Sequence, residues 1–162
     1  RKREGLVLQM SLGENICLPS LGNINKLGTV IKRKKKALVE KYLNSLSITP
    51  PLPNRLIRDF SGGNQQKVVL AKWMAVNPKV LIMDEPTRGV DVGAKAEIYA
   101  LMHEMVEKGM AIIMISSELP EVLAMSDRIV VMRESKYAGT LDIADADEEK
   151  IMAYATGTTI GV

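Results

Sequence analysis

The fold is decided by one stretch of the sequence, Val80-Leu81-Ile82-Met83-Asp84-Glu85-Pro86. Its leading residues are apolar, and they run directly into two adjacent carboxylates. A short apolar run without a polar break, bounded by a turn residue, is typical of a strand that is buried on both faces, as in a parallel sheet. Because Pro86 cannot continue a central strand, we expect the strand to end at the two acids.

Asp84 and Glu85 would then lie at the carboxyl end of a central strand, where open α/β sheets bind their ligands. An aspartate in that place can hold a magnesium ion on a nucleoside triphosphate. The adjacent glutamate can orient or deprotonate an attacking water molecule. The same pattern is equally typical of a strand end that carries two solvated acids, so the pattern alone leaves both interpretations open.

The composition limits the class of protein. A chain of 162 residues has room for one domain, and its 46% hydrophobic and 25% charged residues are ordinary for a globular domain. The net charge of +3 is too small to indicate a nucleic-acid partner. The only cysteine, Cys17, excludes an internal disulfide, and no apolar run approaches the ~20 residues of a membrane-spanning helix. Since the sequence opens with Arg1 and not with Met, we expect a fragment of a longer protein.

Two further strands are predicted to follow the first. The run Ala111–Ile115 predicts a second buried strand, which would bring Ser116-Ser117-Glu118 to the same sheet edge as Asp84. Residues 127–132 predict a third strand, and residues 136–141 an arm that pairs back on it as a hairpin. Strands that alternate with helices favour an α/β fold with a mostly parallel sheet.

The segment before this sheet is predicted to be mostly helical. Residues 5–10 suggest a short strand, Ser11 and Glu14 form a capping box at a helix start, and residues 23–29 are expected to form a loop. Residues 32–46 fit an amphipathic helix whose lysine-rich start is solvated. The alternative, that the lysine run binds an anionic surface such as lipid headgroups, stays open.

A glycine-rich turn precedes the next predicted helix, in Phe60-Ser61-Gly62-Gly63-Asn64-Gln65-Gln66-Lys67. Two glycines let a backbone approach a ligand closely. Ser61 can cap the helix, whose free N–H groups favour an anion. Such a turn is a weak signal alone, because most of them are only caps. It becomes a strong one when the Asp84-Glu85 strand end follows about one helix later.

One more helix is predicted over residues 92–108. His103 lies on it without a second type of metal ligand nearby in sequence, so a surface histidine is the favoured interpretation. Apolar spacing predicts that the buried face consists of Val92, Ala96, Tyr99, Met102 and Val106.

These motifs together resemble those of the ABC transporter family. Residues 60–66 resemble the family's signature, residues 80–85 its Walker B strand, and Gly89-Val90-Asp91 its D-loop. Ser117 stands where the family has its switch histidine. In their particular forms the motifs are similar to the second nucleotide-binding half of bacterial monosaccharide import ATPases.

The resemblance implies a fold and a domain organisation. The fold would be α/β, part of a P-loop NTPase core with a mostly parallel sheet and a small helical subdomain. Residues 1–9 would end the core segment after the Q-loop, residues 10–58 would form the helical subdomain, and residues 59–162 the remaining core.

The resemblance also implies a role for each site residue. In the family, two ATPase halves meet head to tail, and each ATP lies between the Walker B residues of one half and the signature of the other. Glu85 and Ser117 would be catalytic, and Asp84 would hold Mg²⁺ in the chain's own site. Four residues would contact the nucleotide bound by the partner half: Ser61, Gly62, Gly63 and Asn64. Asp91 would also belong to the ATP site and would couple the two sites across the interface.

Two departures from the family pattern affect the expected activity. The sequence contains no Gly-x-x-x-x-Gly-Lys-Ser/Thr motif, so we expect this chain alone to be inactive because it lacks the P-loop. Ser117 is shorter than histidine and never cationic, so it stabilises transferring charge less well. We therefore expect asymmetry, with hydrolysis mainly at the nucleotide of the partner half.

The partners implied by the resemblance are the other ATPase half, in the same or a second chain, the permease subunits and, indirectly, a periplasmic sugar-binding protein. Nucleic acid is not among them. The implied location is the cytoplasmic face of the inner membrane, as a peripheral subunit. The implied function is to bind and hydrolyse ATP for sugar import. The alternatives are a non-transport ABC ATPase and a regulatory nucleotide-binding half without hydrolysis.

Overall fold

The computed structural model describes residues 5–158. By its contacts the chain divides into two units. The first unit holds Arg1–Leu81 and Thr87–Ile113, and the second holds Ile82–Pro86 and Met114–Val162. The domain boundaries expected from the resemblance, after residues 9 and 58, stay a prediction. None of the helices within the described residues has the length and apolar character that crossing a membrane requires.

The first unit begins with short helices and a small hairpin. The capping box is confirmed, because the Glu14 N–H donates to Ser11 Oγ at 3.3 Å and the Ser11 N–H donates to Glu14 Oε2 at 2.8 Å. The elements in chain order are α1 (Leu12–Cys17), a 3₁₀ helix (Leu18–Ser20), α2 (Leu21–Ile24), β1 (Asn25–Lys26), β2 (Thr29–Val30) and α3 (Lys32–Ser45).

Two predictions for this segment are wrong. The strand expected over residues 5–10 does not form, since Gly5 is helical and turns follow it. The reason is Asn15, which is fully buried, accepts from the Val7 N–H at 2.8 Å and donates back to the Val7 carbonyl at 3.1 Å. The loop expected over residues 23–29 instead contains the end of α2 and the hairpin β1–β2, which turns at Leu27 and Gly28 with positive φ at both.

Three further elements lie in the first unit: a 3₁₀ helix (Ile57–Asp59), α4 (Gly62–Met74) and α5 (Val92–Glu107). The amphipathic helix is confirmed, because α3 buries Val39, Tyr42 and Leu43. The predicted buried face of α5 is wrong except at Met102. Residues 98, 102 and 105 are buried, while Val92 is 85% exposed. These positions keep the four- and three-residue steps of one helix face, which shares Met102 with the predicted face but holds residues 98 and 105 in place of 99 and 106. His103 is exposed, as predicted.

Two parallel strands, β3 (Val80–Asp84) and β4 (Ala111–Ile115), begin in the first unit and end in the second. The Ala111 N–H donates to the Lys79 carbonyl at 2.9 Å, and the Glu85 N–H donates to the Ile115 carbonyl at 2.7 Å. The sheet direction was predicted correctly.

Burial of β3 and β4 on both faces was predicted wrongly. Side chains alternate across a strand, so one face of β3 is buried while Ile82 on the other is 65% exposed. The same alternation leaves Ile113 in β4 half exposed. The continuous apolar runs of β3 and β4 therefore do not indicate strands that are buried on both faces, within the part of the chain that the structure describes.

The second unit continues with α6 (Leu119–Met125), β5 (Arg128–Arg133), β6 (Lys136–Asp142), a 3₁₀ helix (Ile143–Asp145) and α7 (Glu148–Thr156). The predicted hairpin is confirmed, because β5 and β6 pair in antiparallel register. Its core consists of Ile129, Val131 and Ile151, against which the apolar face of α6 packs. The fold is thus mixed α/β, with a parallel pair that ends at the two acids.

Candidate functional site

The glycine-rich turn forms the exposed start of α4. Ser61 is its N-cap, and its Oγ accepts from the Asn64 N–H at 3.4 Å and from Asn64 Nδ2 at 3.0 Å. Ser61 is exposed, while Gly62 and Gly63 are half-buried. The first N–H groups of a helix have no intrahelical acceptor, and the helix dipole adds partial positive charge there. This turn can therefore receive an anion such as a phosphate.

Asn64 has a second partner outside the helix. Its Oδ1 accepts from the Thr49 N–H at 3.0 Å, and Thr49 belongs to the proline-rich connector at residues 48–53, which follows α3 and is not helical. One amide side chain thus closes the cap and binds the connector. The orientation of the turn is fixed from both sides.

Asp91 and the glycine-rich turn come together in the first unit. Asp91 caps α5, and its Oδ1 accepts from the Ala94 N–H at 2.9 Å. A Cβ added at Gly63 would lie only 3.1 Å from the Ala94 Cβ. A glycine at position 63 therefore allows the starts of α4 and α5 to approach each other closely.

The two acids at the end of β3 lie in the second unit. Asp84 is exposed and Glu85 is half-buried. Glu85 has a φ of 49°, a left-handed backbone that is unfavourable for a residue with a side chain. Its N–H donates to the Ile115 carbonyl, which holds this conformation in place. Strained backbones of this kind concentrate at functional sites, which is consistent with an active role for this glutamate.

Ser117 follows β4 at the same sheet edge. Because the Glu85 N–H binds the last residue of β4, the acids and residues 116–118 meet at this edge, as the sequence predicts. Ser117 itself is exposed. Its neighbour Ser116 shapes the turn: Ser116 Oγ donates to Glu121 Oε2 at 2.5 Å and accepts from the Glu118 N–H at 3.1 Å.

The acidic strand end and the glycine-rich turn each offer the type of ligand that one part of a nucleotide–metal complex requires. Magnesium usually keeps several waters and takes one or two protein carboxylates together with phosphate oxygens, and an exposed strand-end aspartate suits that coordination. Asp84, in the second unit, could supply such a carboxylate. Separately, the start of α4, in the first unit, could bind the phosphate oxygens of a different nucleotide. Within residues 5–158, no group of three or more histidine, cysteine or acidic side chains stands ready to hold a metal ion.

Sequence reasoning missed two features of the site. Glu121 is only 4% exposed although it carries a carboxylate, and it holds the Ser116 hydroxyl. Lys67 is only 6% exposed, one turn into α4. One pattern in the sequence could have indicated that Lys67 is buried. It lies next to Val68, on the side of the helix that the apolar periodicity predicts to face the core.

The fold is that of an ATP-binding cassette. The structure aligns with the dimeric post-hydrolysis structure of an ATP-binding cassette bound to ADP and Pi, with a TM-score of 0.73, 20% identity, and coverage of 85% of this chain and 59% of that chain. A family model described as ABC transporter matches residues 2–88. This chain belongs to the ABC transporter family.

Its relatives are sugar import ATP-binding proteins. The chain is 53% identical over 157 residues to the ribose import ATP-binding protein RbsA of Bacillus licheniformis, covering 97% of this chain and 32% of that protein. It is 54% identical over 157 residues to the xylose import ATP-binding protein XylG of Thermoanaerobacter pseudethanolicus, covering 97% of this chain and 31% of that protein. The chain thus spans about a third of the length of these relatives.

Proposed function

We propose that this chain is part of an ATP-binding and ATP-hydrolysing subunit that powers sugar import by an ABC transporter. The observation that carries the proposal is the 53–54% identity, over 97% of the chain, to import proteins named for ribose and xylose. The exposed start of α4 and the strained acidic end of β3 support it, because they supply an anion-binding turn and a positioned carboxylate pair.

The glycine-rich turn would bind a nucleotide held by another ATPase half. Its free N–H groups point at an incoming phosphate, and the bonds from Asn64 to Ser61 and Thr49 keep them oriented before the ligand arrives. Preoriented donors stabilise charge without a reorganisation cost at the moment of reaction. Asp91 would couple this turn to the facing half through the close approach of α5.

The strand end would serve the chain's own site. Asp84 would hold Mg²⁺ on the triphosphate, and Glu85 would orient and polarise the attacking water. Ser117 would approach the γ-phosphate with a neutral hydroxyl where the family has an imidazole, so less of the developing charge is stabilised. The chain's own site would therefore turn over slowly, and hydrolysis would occur mainly under the glycine-rich turn, on the partner half.

In this proposal the partners are the other ATPase half, membrane permease subunits and, through them, a sugar-binding protein outside the membrane. The subunit would lie on the cytoplasmic face of the inner membrane. One observation favours a second candidate, a regulatory half that binds nucleotide without hydrolysing it: the serine at position 117.

The test compares two variants in the longer protein that would contain this chain. Ser61→Arg places a cation and a long side chain in the phosphate-binding turn, and we expect it to abolish most ATP turnover. Glu85→Gln removes only the water-orienting carboxylate of the chain's own site, and we expect turnover to remain largely intact. Ser45→Arg, at an exposed serine that ends α3, is the matched control and should change nothing.

The opposite pattern, in which Glu85→Gln stops turnover and Ser61→Arg does not, would show that the asymmetry is wrong. If the unaltered protein binds nucleotide and dimerises without any turnover, the regulatory function is favoured over the import ATPase.

A further inference from the structure

Lys67 is a buried cation in α4, the helix that begins at the glycine-rich turn, and it lies one turn after the helix start. Its side chain is 8% exposed. Removing an ammonium group from water is costly unless it is hydrogen-bonded and paired, so such a residue needs specific partners. It has two: Nζ donates to the Ser47 carbonyl at 3.2 Å and forms an ion pair with Glu97 Oε2 at 2.5 Å.

These partners come from two other segments of the first unit. Ser47 lies just beyond α3, in a turn with a φ of 47°. Glu97 lies in α5, less than two turns after its cap at Asp91. One ammonium group thus joins the turn after α3, the helix of the glycine-rich turn and the helix that begins at Asp91.

A second contact runs alongside the first. The Thr49 N–H donates to Asn64 Oδ1 at 3.0 Å, and Asn64 lies three residues before Lys67, on the same helix face. The turn at residues 47–49 is therefore bound to the first two turns of α4 at two points, Asn64 and Lys67. A displacement of this turn would change the direction of the N–H groups at the start of α4.

We propose that Lys67 is a positioning residue, which sets the orientation of the Ser61–Asn64 turn by binding residues 47–49 on one side and α5 on the other. The inference rests on the proposed function, in which that turn binds a phosphate. Glu97 is 57% exposed, so the pair contributes geometry more than energy, since the salt bridge is partly screened by water. Lys67 touches no nucleotide in this proposal; it acts through the turn.

The test measures ATP turnover and melting temperature in the longer protein that would contain this chain. Lys67→Met keeps the apolar stem and removes the charge. Misplacing a binding group far from the reacting atoms can cost up to about 100-fold in rate, and we expect kcat to fall roughly 10- to 100-fold. KM for ATP should change little, because the turn closes over a nucleotide that is already bound elsewhere.

Three further variants separate positioning from stability. Lys72→Met is the matched control, because Lys72 is also buried in α4 but donates to the Gly5 carbonyl at 2.9 Å; it should lower the melting temperature and leave kcat unchanged. Lys67→Arg should retain most of kcat, since a guanidinium can still reach both acceptors. Glu97→Gln, at an exposed position that will not prevent folding, should lower kcat in the same direction.

The double variant Lys67→Met with Glu97→Gln should be no slower than Lys67→Met alone, because both changes remove one pair. Normal kcat in Lys67→Met and Glu97→Gln, with only a lower melting temperature, would overturn the inference. If Ser61→Arg abolishes turnover while Lys67→Met and Glu97→Gln are both fully active, only the role of Lys67 is refuted. If Ser61→Arg has no effect either, the proposed function itself fails.

Discussion

The glycine-rich turn in the first unit and the acidic strand end in the second are built in opposite ways. Ser61 has a relaxed backbone with a φ of −59°, and several side-chain hydrogen bonds hold its turn. Glu85 has a left-handed φ of 49°, and its N–H donates to the Ile115 carbonyl. The first region is fixed by bonds around a favourable conformation, and the second is forced into an unfavourable one.

This difference teaches what each region needs for its proposed task. A turn that binds a phosphate needs N–H groups held in direction, which caps supply at no conformational cost. A carboxylate that must point at one water can be held in that direction by a strained backbone, and this strain lowers the stability of the fold. Relieving the backbone strain at Glu85 should therefore raise the free energy of unfolding, whereas disturbing the glycine-rich turn should lower it.

Ser116→Ala is expected to have the largest effect, because it removes the bond that shapes the edge beside Glu85. Ser116 Oγ donates to the buried Glu121 carboxylate, and hydrogen bonds to charged groups contribute about 1.5–3 kcal/mol. Unfolding followed by urea denaturation should show a loss of that size. Ser117→Ala, at the exposed neighbouring serine, is the control and should change the free energy of unfolding by less than about 0.5 kcal/mol.

Gly63→Ala tests whether the glycine-rich turn depends on the close approach of α4 and α5. The new methyl would lie 3.1 Å from the Ala94 Cβ, and overpacking of this kind costs about 1–3 kcal/mol. We expect a lower melting temperature and, if the turn is displaced, lower turnover. Adding Ala94→Gly should restore both, and failure of this rescue would show that another contact limits position 63.

Much of this architecture was predictable because its signals are local. The cap at Ser61, the end of β3 at Asp84 and the hairpin after residue 127 follow from short patterns that each carry their own chemistry. The helix expected over residues 92–108 ends within one residue of the observed Val92–Glu107. Caps and turns can be read from sequence because the partners lie three or four residues apart.

The features that failed depend on distant partners. An apolar run such as Val80–Met83 does not reveal how many faces the rest of the chain covers, and Ile82 is exposed. Asn15 removed a predicted strand by bonding Val7 eight residues away, a competition that propensity does not weigh. The partners of Lys67 lie 20 and 30 residues away along the chain, and the helical pattern indicates only that position 67 faces inward.

Glu85→Gly should stabilise the protein, in contrast to any change in the glycine-rich turn. Glycine adopts positive φ freely, so the substitution relieves about 1–2 kcal/mol of strain, and the greater freedom of the unfolded chain offsets part of the gain. We expect a net increase of about 1 kcal/mol in the free energy of unfolding, measured by urea denaturation. Glu85→Gln keeps the Cβ and the strain, so it should show no such gain.

Ser11→Ala should have the smallest effect on the free energy of unfolding. It tests whether the cap at Ser11 is purely structural, in contrast to the cap at Ser61. Both serines accept from the N–H three residues on, but Ser11 is paired with Glu14 in a capping box. Losing an N-cap costs about 0.5–2 kcal/mol, and this exposed one should lie at the low end. ATP turnover should not change, whereas Ser61→Ala should lower both stability and turnover.

The pH dependence gives this cap a signature of its own. Hydrogen bonds from the Ser11 hydroxyl and N–H lower the pKa of Glu14. A lowered folded pKa means that the stabilisation is fully present above the usual glutamate range and is lost as the pH falls through the lowered value. The difference in melting temperature between the unaltered protein and Ser11→Ala should therefore be largest at neutral pH and shrink on acidification. A difference that stays constant down to pH values below both pKa values would mean that the hydroxyl contributes through the helix N–H and not through Glu14.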